Sequence, residues 1–286
     1  NKVGIDSSTD TSSLDYKVHT LQSALPSGAI VGTTDTQELS GKTLTSPVLK
    51  GSIGGWISIP VTCTYASADD PTYTMYVSGN ATTYLWAGMK FKCTQTTDRM
   101  FIITAVGTYD SGNNRTPITL YGGTDFDLAN ATITNPYYSP VKCPYGFPMN
   151  PDKWSVIVVS TSTANNTATA NVWYNLGTIS ISIPIGAWNI YYKGLVQVTG
   201  ATSGYSNTFT TLSTSNNSES DSNLTSFFFS RQVTSNLVST HTGQKNIILT
   251  SKTNYYLIEK VDQDASSIGL LGGYGDVIIR AVCAYL

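Results

Sequence analysis

The chain has 286 residues, of which 40% are hydrophobic, 11% aromatic and only 12% charged, with a formal net charge of −2. That length holds one large β domain or two modest ones. The absence of any Lys/Arg run argues against a nucleic-acid partner, and the absence of an apolar stretch near the roughly 20 residues that span a bilayer argues against membrane insertion.

The missing charge is replaced by Thr, Ser, Asn, Tyr and Gly. Thr and Tyr suit half-buried pleated surfaces, while Asn, Ser and Gly suit the turns between strands. This mixture predicts an all-β protein. Residues 1–28 read as a linker. Asp6 to Ser13 is almost wholly Ser, Thr and Asp, and Leu14, Val18, Leu21 and Leu25 then recur at helical spacing up to Pro26 and Gly28. The pattern predicts either a frayed linker or about three turns of amphipathic helix. A helix so short needs neighbouring chains, which points to a trimerising role. Asn1 opens a polar segment unlike a signal peptide, and removal of a signal from a precursor stays open.

Residues 29–56 contain Val31-Gly32-Thr33-Thr34-Asp35-Thr36-Gln37-Glu38-Leu39 followed by Lys42-Thr43-Leu44-Thr45-Ser46-Pro47. The isolated aliphatic residues of this polar segment find burial only against copies of themselves or a neighbouring domain. The phrase resembles the connector of bacteriophage tail-fibre and virion-fibre proteins, which leads from an attachment region to distal domains. The resemblance implies a shaft or connector here, and other virion proteins as partners of the N-terminal region.

Residues 57–148 read as a small β domain. Strands are predicted at 56–65, 73–77, 89–94, 100–106, 118–121 and 131–134, separated by polar turns such as Ser78-Gly79-Asn80 and Ser111-Gly112-Asn113-Asn114. Phrases including Gly88-Met89-Lys90-Phe91-Lys92, Gly122-Gly123-Thr124-Asp125-Phe126-Asp127-Leu128-Ala129-Asn130 and Pro136-Tyr137-Tyr138-Ser139 are similar to a compact β-barrel module of tail and fibre proteins from phages of Gram-positive hosts. That resemblance implies a small middle β-barrel. Pro144, Pro148 and Pro151 stiffen a boundary at 143–152.

Residues 149–286 read as a second β domain. Ile179, Ile181, Ile183 and Ile185 alternate with polar residues, and Ile190, Tyr192, Val196 and Val198 continue the period of two. Further strands are predicted at 154–161, 167–174, 209–213, 226–233, 246–250 and 254–261. The apolar final segment 275–286 must pair centrally, since an exposed edge of that kind aggregates. Eight to ten strands in this length predict a C-terminal jelly-roll β-sandwich. Ile183-Pro184-Ile185-Gly186-Ala187-Trp188-Asn189-Ile190-Tyr191-Tyr192 resembles the opening strand of the complement globular-head and tumour-necrosis-factor jelly roll, which implies a homotrimeric head.

No convergent catalytic set is visible. His19 and His241 lack metal-like neighbours, with His241 read as part of a Thr/Gly turn, and neither a nucleophile elbow nor a phosphate-binding loop occurs. The local pairs Asp69–Asp70, Asp125–Asp127, Glu219–Asp221 and Asp262–Asp264 read as solvated turn residues, and Asp125–Asp127 lacks the other oxygens that a calcium site needs. No enzyme, metal or cofactor is expected. Cys63, Cys93, Cys143 and Cys283 fit no zinc spacing and read as reduced, buried thiols, with a Cys63–Cys93 bridge as the alternative. Trp188 and the Tyr137-Tyr138 pair read as core or inter-chain packing. Recognition then falls to two loops of the second domain that combine aromatic and amide groups: Tyr205 and Asn207 in one, Asn216, Asn217, Glu219 and Asp221 in the other.

The sequence therefore predicts a virion fibre protein made in the host cytoplasm. It would be trimeric and attach to a host cell-surface glycan or protein through many weak contacts. The alternatives are a structural capsid-fibre or baseplate component, a polysaccharide-degrading tailspike, and a secreted jelly-roll binding protein.

Overall fold

A computed structural model describes Thr11, Lys17 and residues 53–201, 205–229, 236–275 and 277–284. The predicted helix at 14–25 and the connector as far as Ser52 lie outside the described residues, apart from Lys17.

Seven short strands come first: β1 (Ile57–Ser58), β2 (Cys63–Asp69), β3 (Thr72–Ser78), β4 (Lys90–Gln95), β5 (Thr97–Val106), β6 (Arg115–Tyr121) and β7 (Thr134–Ser139). They form an antiparallel sheet in the order β1-β7-β4-β5-β6-β3-β2. The ladder is open, because β1 and β2 lie at its two ends and do not pair. The expected barrel is corrected on this point. The single run predicted at 56–65 breaks at Pro60, which has no N–H to donate, and the two residues of β1 are too few to carry the ladder round to β2. Alternation sets the core: Tyr73, Met75 and Val77 of β3, Phe91 and Cys93 of β4, and Ile118 and Leu120 of β6 are buried together with Phe101 and Ile103 of β5.

The strand expected at 131–134 begins instead at Thr134 and includes Pro136. The register against β4 slips between Lys92 and Thr94, so β7 carries an extra residue there, and Asn135 takes φ 48°. A bulge is where a sheet tolerates proline.

Ten further strands follow: β8 (Ser155–Ser160), β9 (Thr163–Ala168), β10 (Ser180–Ile183), β11 (Gly186–Ala201), β12 (Thr208–Ser213), β13 (Ser226–Phe228), β14 (Leu237–Leu249), β15 (Thr253–Val261), β16 (Ala265–Leu271) and β17 (Val277–Cys283). One sheet runs β10-β15-β12-β13. The other is built on the 16 residues of β11. Its one edge pairs with β14 from Gly186 to Val198, and its other edge is shared between β17, which leads on to β8, and β16, which leads on to β9. All pairings are antiparallel, and among the described residues from Ile53 onward there are 3-10 turns but no α-helix. The terminal strand β17 lies between β8 and β11, as its apolar character requires.

The inner faces of these two sheets share a core of Ile181 and Ile183, Trp188, Ile190, Tyr192, Val196 and Val198, Leu212, Leu257 and Val261, and Val277, Ile279 and Ala281. Two expectations are corrected in this region. The strand predicted at 167–174 lies earlier, as β9, with Tyr174 making an isolated bridge to Glu259. His241 sits in the middle of β14, fully buried, and not in a turn. The run Thr240-His241-Thr242-Gly243 is too polar to read as a strand, but Gly243 is required where it stands. A Cβ there would lie 2.3 Å from Cε1 of Tyr192, whose hydroxyl donates to the Thr210 and Leu224 carbonyls and so ties the two sheets together.

All these strands belong to one compact unit, Lys50–Leu286. Phe147 stacks on Trp154 at 4.6 Å, Tyr121 meets Trp188 edge-on at 4.9 Å, and the Trp154 indole donates to the Pro148 carbonyl. Gly123, at φ 68°, passes so close to the Lys153 carbonyl that a Cβ would lie 1.5 Å from its oxygen. The Thr124 amide donates to that same carbonyl, and ion pairs join Lys153 to Asp125, Arg280 to Asp152 and Lys252 to Asp69.

Candidate recognition site

The two loops singled out from the sequence flank β12 but lie at its opposite ends. Tyr205 and Asn207 precede Thr208, whereas Asn216, Asn217, Glu219 and Asp221 follow Ser213. Six residues of extended chain separate the ends by roughly 17 Å, so the structure does not bring the six residues to one point. Residues 202–204 of the first loop are outside the described residues.

Within the first loop, Tyr205 is 43% exposed. Asn207 is held through its backbone amide and side-chain amide, which donate to the two oxygens of Asp262 at 2.8 and 2.6 Å. In the second loop the Ser213 hydroxyl donates to the Ser218 carbonyl, and Ser215 donates to the Asn217 side-chain oxygen. Thr225 donates to Glu219. Asp221 caps the turn at Asn223 and pairs with Lys245, which holds its carboxyl below the ordinary range. Its acidic groups therefore shape the second loop, leaving Asn216 and Asn217 at an exposed tip.

The other local acidic pairs serve the fold in the same way. The Tyr73 hydroxyl donates to Asp127 at 2.6 Å, Asp125 pairs with Lys153, and Asp264 accepts from the Ala170 amide. Among the described residues no three His, Cys, Asp or Glu side chains converge. None of the four cysteines is bridged. Cys63, Cys93 and Cys283 are buried, and burial raises the Cys63 and Cys93 thiols to about 12, but Cys143 is exposed, which corrects the expectation that all four are buried. It follows Pro140 in the irregular, proline-bounded segment joining β7 to β8, where no strand covers it.

Sequence reading missed a polar island inside the two-sheet core. Thr208, Ser239 and His241 are mutually hydrogen-bonded, with His241 Nε2 2.9 Å from both hydroxyls. Burial lowers the imidazole from 6.5 to about 4, so it stays neutral. Glu259, opposite Thr210 in the β12–β15 ladder, is fully buried, and neither of its oxygens meets hydrogen-bonding geometry. Burial raises its carboxyl well above the ordinary 4.5, while the Leu176 amide pulls the other way. The sequence places Glu259 at an alternating position between Leu257 and Val261, but a lone carboxylate there reads as a polar interruption and not as a buried group.

Two outer surfaces also stand out. On the β10-β15-β12-β13 sheet, Lys260 lies over both Trp173 and Phe209, and Phe209 stacks with the 67%-exposed Phe227. On the β11 sheet the register lines up Val159, Ile278 and Lys193 in one outward row and Ile157, Arg280 and Tyr191 in the next, with Ile157 and Val159 exposed.

No helix among the described residues is long and apolar enough to cross a membrane. No protein-family model matches the chain, and no curated protein matches it. Among solved structures it is similar to the 2.6 Å structure of T=1 particles derived from infectious bursal virus, at 11% identity and a TM-score of 0.23. The alignment covers 78% of this chain and 59% of that one. A likeness this loose adds nothing to the functional argument.

Proposed function

We propose that the chain is a bacteriophage virion fibre protein: a homotrimer whose N-terminal region joins it to other virion proteins and whose C-terminal jelly roll attaches to the host cell surface. The observation that carries this reading is the strand order. Taken as β8-β17-β11-β14 and β10-β15-β12-β13, the eight principal strands of residues 155–283 follow the two-sheet order of a jelly roll. The connector phrase at 31–47 supports the virion assignment by resemblance. The outward Ile157, Val159, Ile278 and Tyr191 support association, because they leave a half-apolar sheet face open to a second copy. Three loop sets per head multiply weak contacts into avidity.

Light scattering on the full chain tests the assembly. The expected mass is three times the 30.7 kDa of one chain, and Ile157→Asp with Val159→Asp should release protomers. A stable monomer for the unaltered chain overturns the trimer. Pull-down of the fluorescent trimer by isolated Gram-positive cell walls tests attachment. A trimer that binds none of them favours the capsid-fibre or baseplate reading, and release of soluble oligosaccharide would move the assignment to a tailspike.

A further inference from the structure

The seven-stranded sheet carries a recess that belongs to neither of the predicted loops. Where the chain crosses from β1 to β2, Ser58, Pro60 and Val61 face the end of β3 and the turn after it, Ser78, Gly79 and Asn80. Tyr84 and Tyr138 complete a cavity of about 310 Å³, at the lower end of volumes typical of small-molecule sites.

Its walls are held in place by bonds that leave the recess itself open. The Ser78 amide donates to the Thr62 carbonyl at 3.0 Å and the Gly79 amide to Asn114 at 2.8 Å. Thr116 donates its hydroxyl to the Gly79 carbonyl and accepts the Ala81 amide. Asn80 spends its side-chain oxygen on the amide and hydroxyl of Thr82, which leaves its amide N–H groups as the end available to a ligand. Gly79 sits at φ 80° with nothing near the position of a Cβ, so the turn is bare on the side toward solvent. Tyr84 and Tyr138 lie 5.6 Å apart with planes tilted by 48°, forming two walls of a rigid aromatic corner.

We infer that this recess binds one neutral sugar residue of a cell-surface polysaccharide. The inference rests on the attachment reading and names its ligand class. A pyranose has an apolar C–H face, slightly positive, which lies against the negative face of an aromatic ring. Its rim hydroxyls need donors and acceptors, and the Ser58, Ser78 and Tyr hydroxyls and the Asn80 amide supply both kinds. Rigid tyrosines with adaptable Ser and Asn groups give contact area at low entropic cost. None of the eight lining residues is charged, so nothing in the recess neutralises a phosphate or carboxylate, and an anionic sugar would lose hydration without compensation. Two other recesses are less suited. The one lined by Lys92 and Asp98 carries charges of its own, and the one beside Trp86 offers only threonine hydroxyls on an apolar wall.

The test is saturation-transfer NMR on the full chain with glucose, galactose, N-acetylglucosamine and N-acetylgalactosamine, run beside cell-wall pull-down. Tyr84→Ala removes one wall. Val61→Arg fills the mouth from a 38%-exposed position without touching the core. The expected result is saturation transfer to at least one of the four sugars, reduced at least tenfold by both variants and unchanged by Ile248→Ala, an 82%-exposed position on β14 outside the recess and both loops. Thermal melting identifies any variant that has merely unfolded, and Val61→Arg then carries the test alone. Transfer that survives Val61→Arg, or that is lost in Ile248→Ala, overturns the site while leaving attachment intact. Cell-wall binding without transfer to any of the four sugars also overturns the site and not the attachment reading. Failure of both assays removes both.

Discussion

At the residue scale, the buried titratable groups of the two-sheet core pull stability in opposite directions with pH. Glu259 keeps its proton in the folded state, whereas an unfolded chain releases it above about 4.5. The unfolded state is thus favoured progressively as pH rises past that value, until the raised folded value is reached. His241 stays neutral when folded down to about 4, whereas an unfolded chain takes up a proton below 6.5. Stability is therefore also lost as pH falls from 6.5 towards 4, by up to about 3 kcal/mol at 1.36 kcal/mol per unit. Glu259→Gln keeps the shape and removes the ionisation. Its urea midpoint is expected to exceed that of the unaltered chain at pH 8 and to approach it at pH 4.5, and equal midpoints across this range would contradict a buried protonated carboxyl. Neither residue announced its burial in the sequence. Glu259 reads as an ordinary polar interruption of an apolar strand, and His241 lies in a polar run, because charge and polarity normally mark the outside.

At the element scale, strands with a clear period of two were legible. β10, β11, β12, β15 and β17 stand close to where alternation predicts them. Strands interrupted by runs of polar residues and glycine were not. β14 extends back to Leu237, through Thr, His and Gly, because β11 offers a continuous partner along 13 paired positions. β16 carries Ser266, Ser267 and Gly269 among its buried Ile268, Leu270 and Leu271, and a Cβ at Gly269 would lie 2.0 Å from the Asn165 side-chain oxygen on β9, so that exposed side chain would have to turn aside. Gly243 tests the same principle. Replacing it by Ala drives a methyl into the Tyr192 ring, and overpacking of this kind costs about 1–3 kcal/mol. The loss should appear as a lower thermal midpoint, and Gly243→Ala should cost less in a Tyr192→Leu background than in the unaltered chain, because the ring edge is then absent. An equal cost in both backgrounds would mean that the glycine serves the backbone and not the ring.

At the scale of the whole molecule, the single sheet and the two-sheet sandwich were read as separate domains divided at 143–152. The structure joins them through one aromatic cluster. Tyr121 comes from the first, Trp188 from the second, and Phe147 and Trp154 from the connecting segment, with Trp56 against Phe147. Burying three indoles, a phenyl ring and a phenol couples folding across the boundary. A single cooperative thermal transition is expected for residues 50–286. Trp154→Ala, which removes a fully buried side chain worth about 3–5 kcal/mol, is expected to split it into two. Two transitions in the unaltered chain would show that the junction does not couple them.

Composition and alternation by themselves determined that the described residues from Ile57 onward are built of β-strands, that the run from Ile179 onward is half-buried strand, and that the last apolar segment lies inside a sheet. These follow from local rules, since side-chain period and turn chemistry act between near neighbours. Tertiary structure alone decided that the first ladder stays open and that His241 and Glu259 are interior. It also decided that the two predicted loops stand at opposite ends of β12 and that Tyr84 and Tyr138 meet beside Asn80. Each of these depends on which strands pair across the chain, and long-range pairing is set by how the whole core packs.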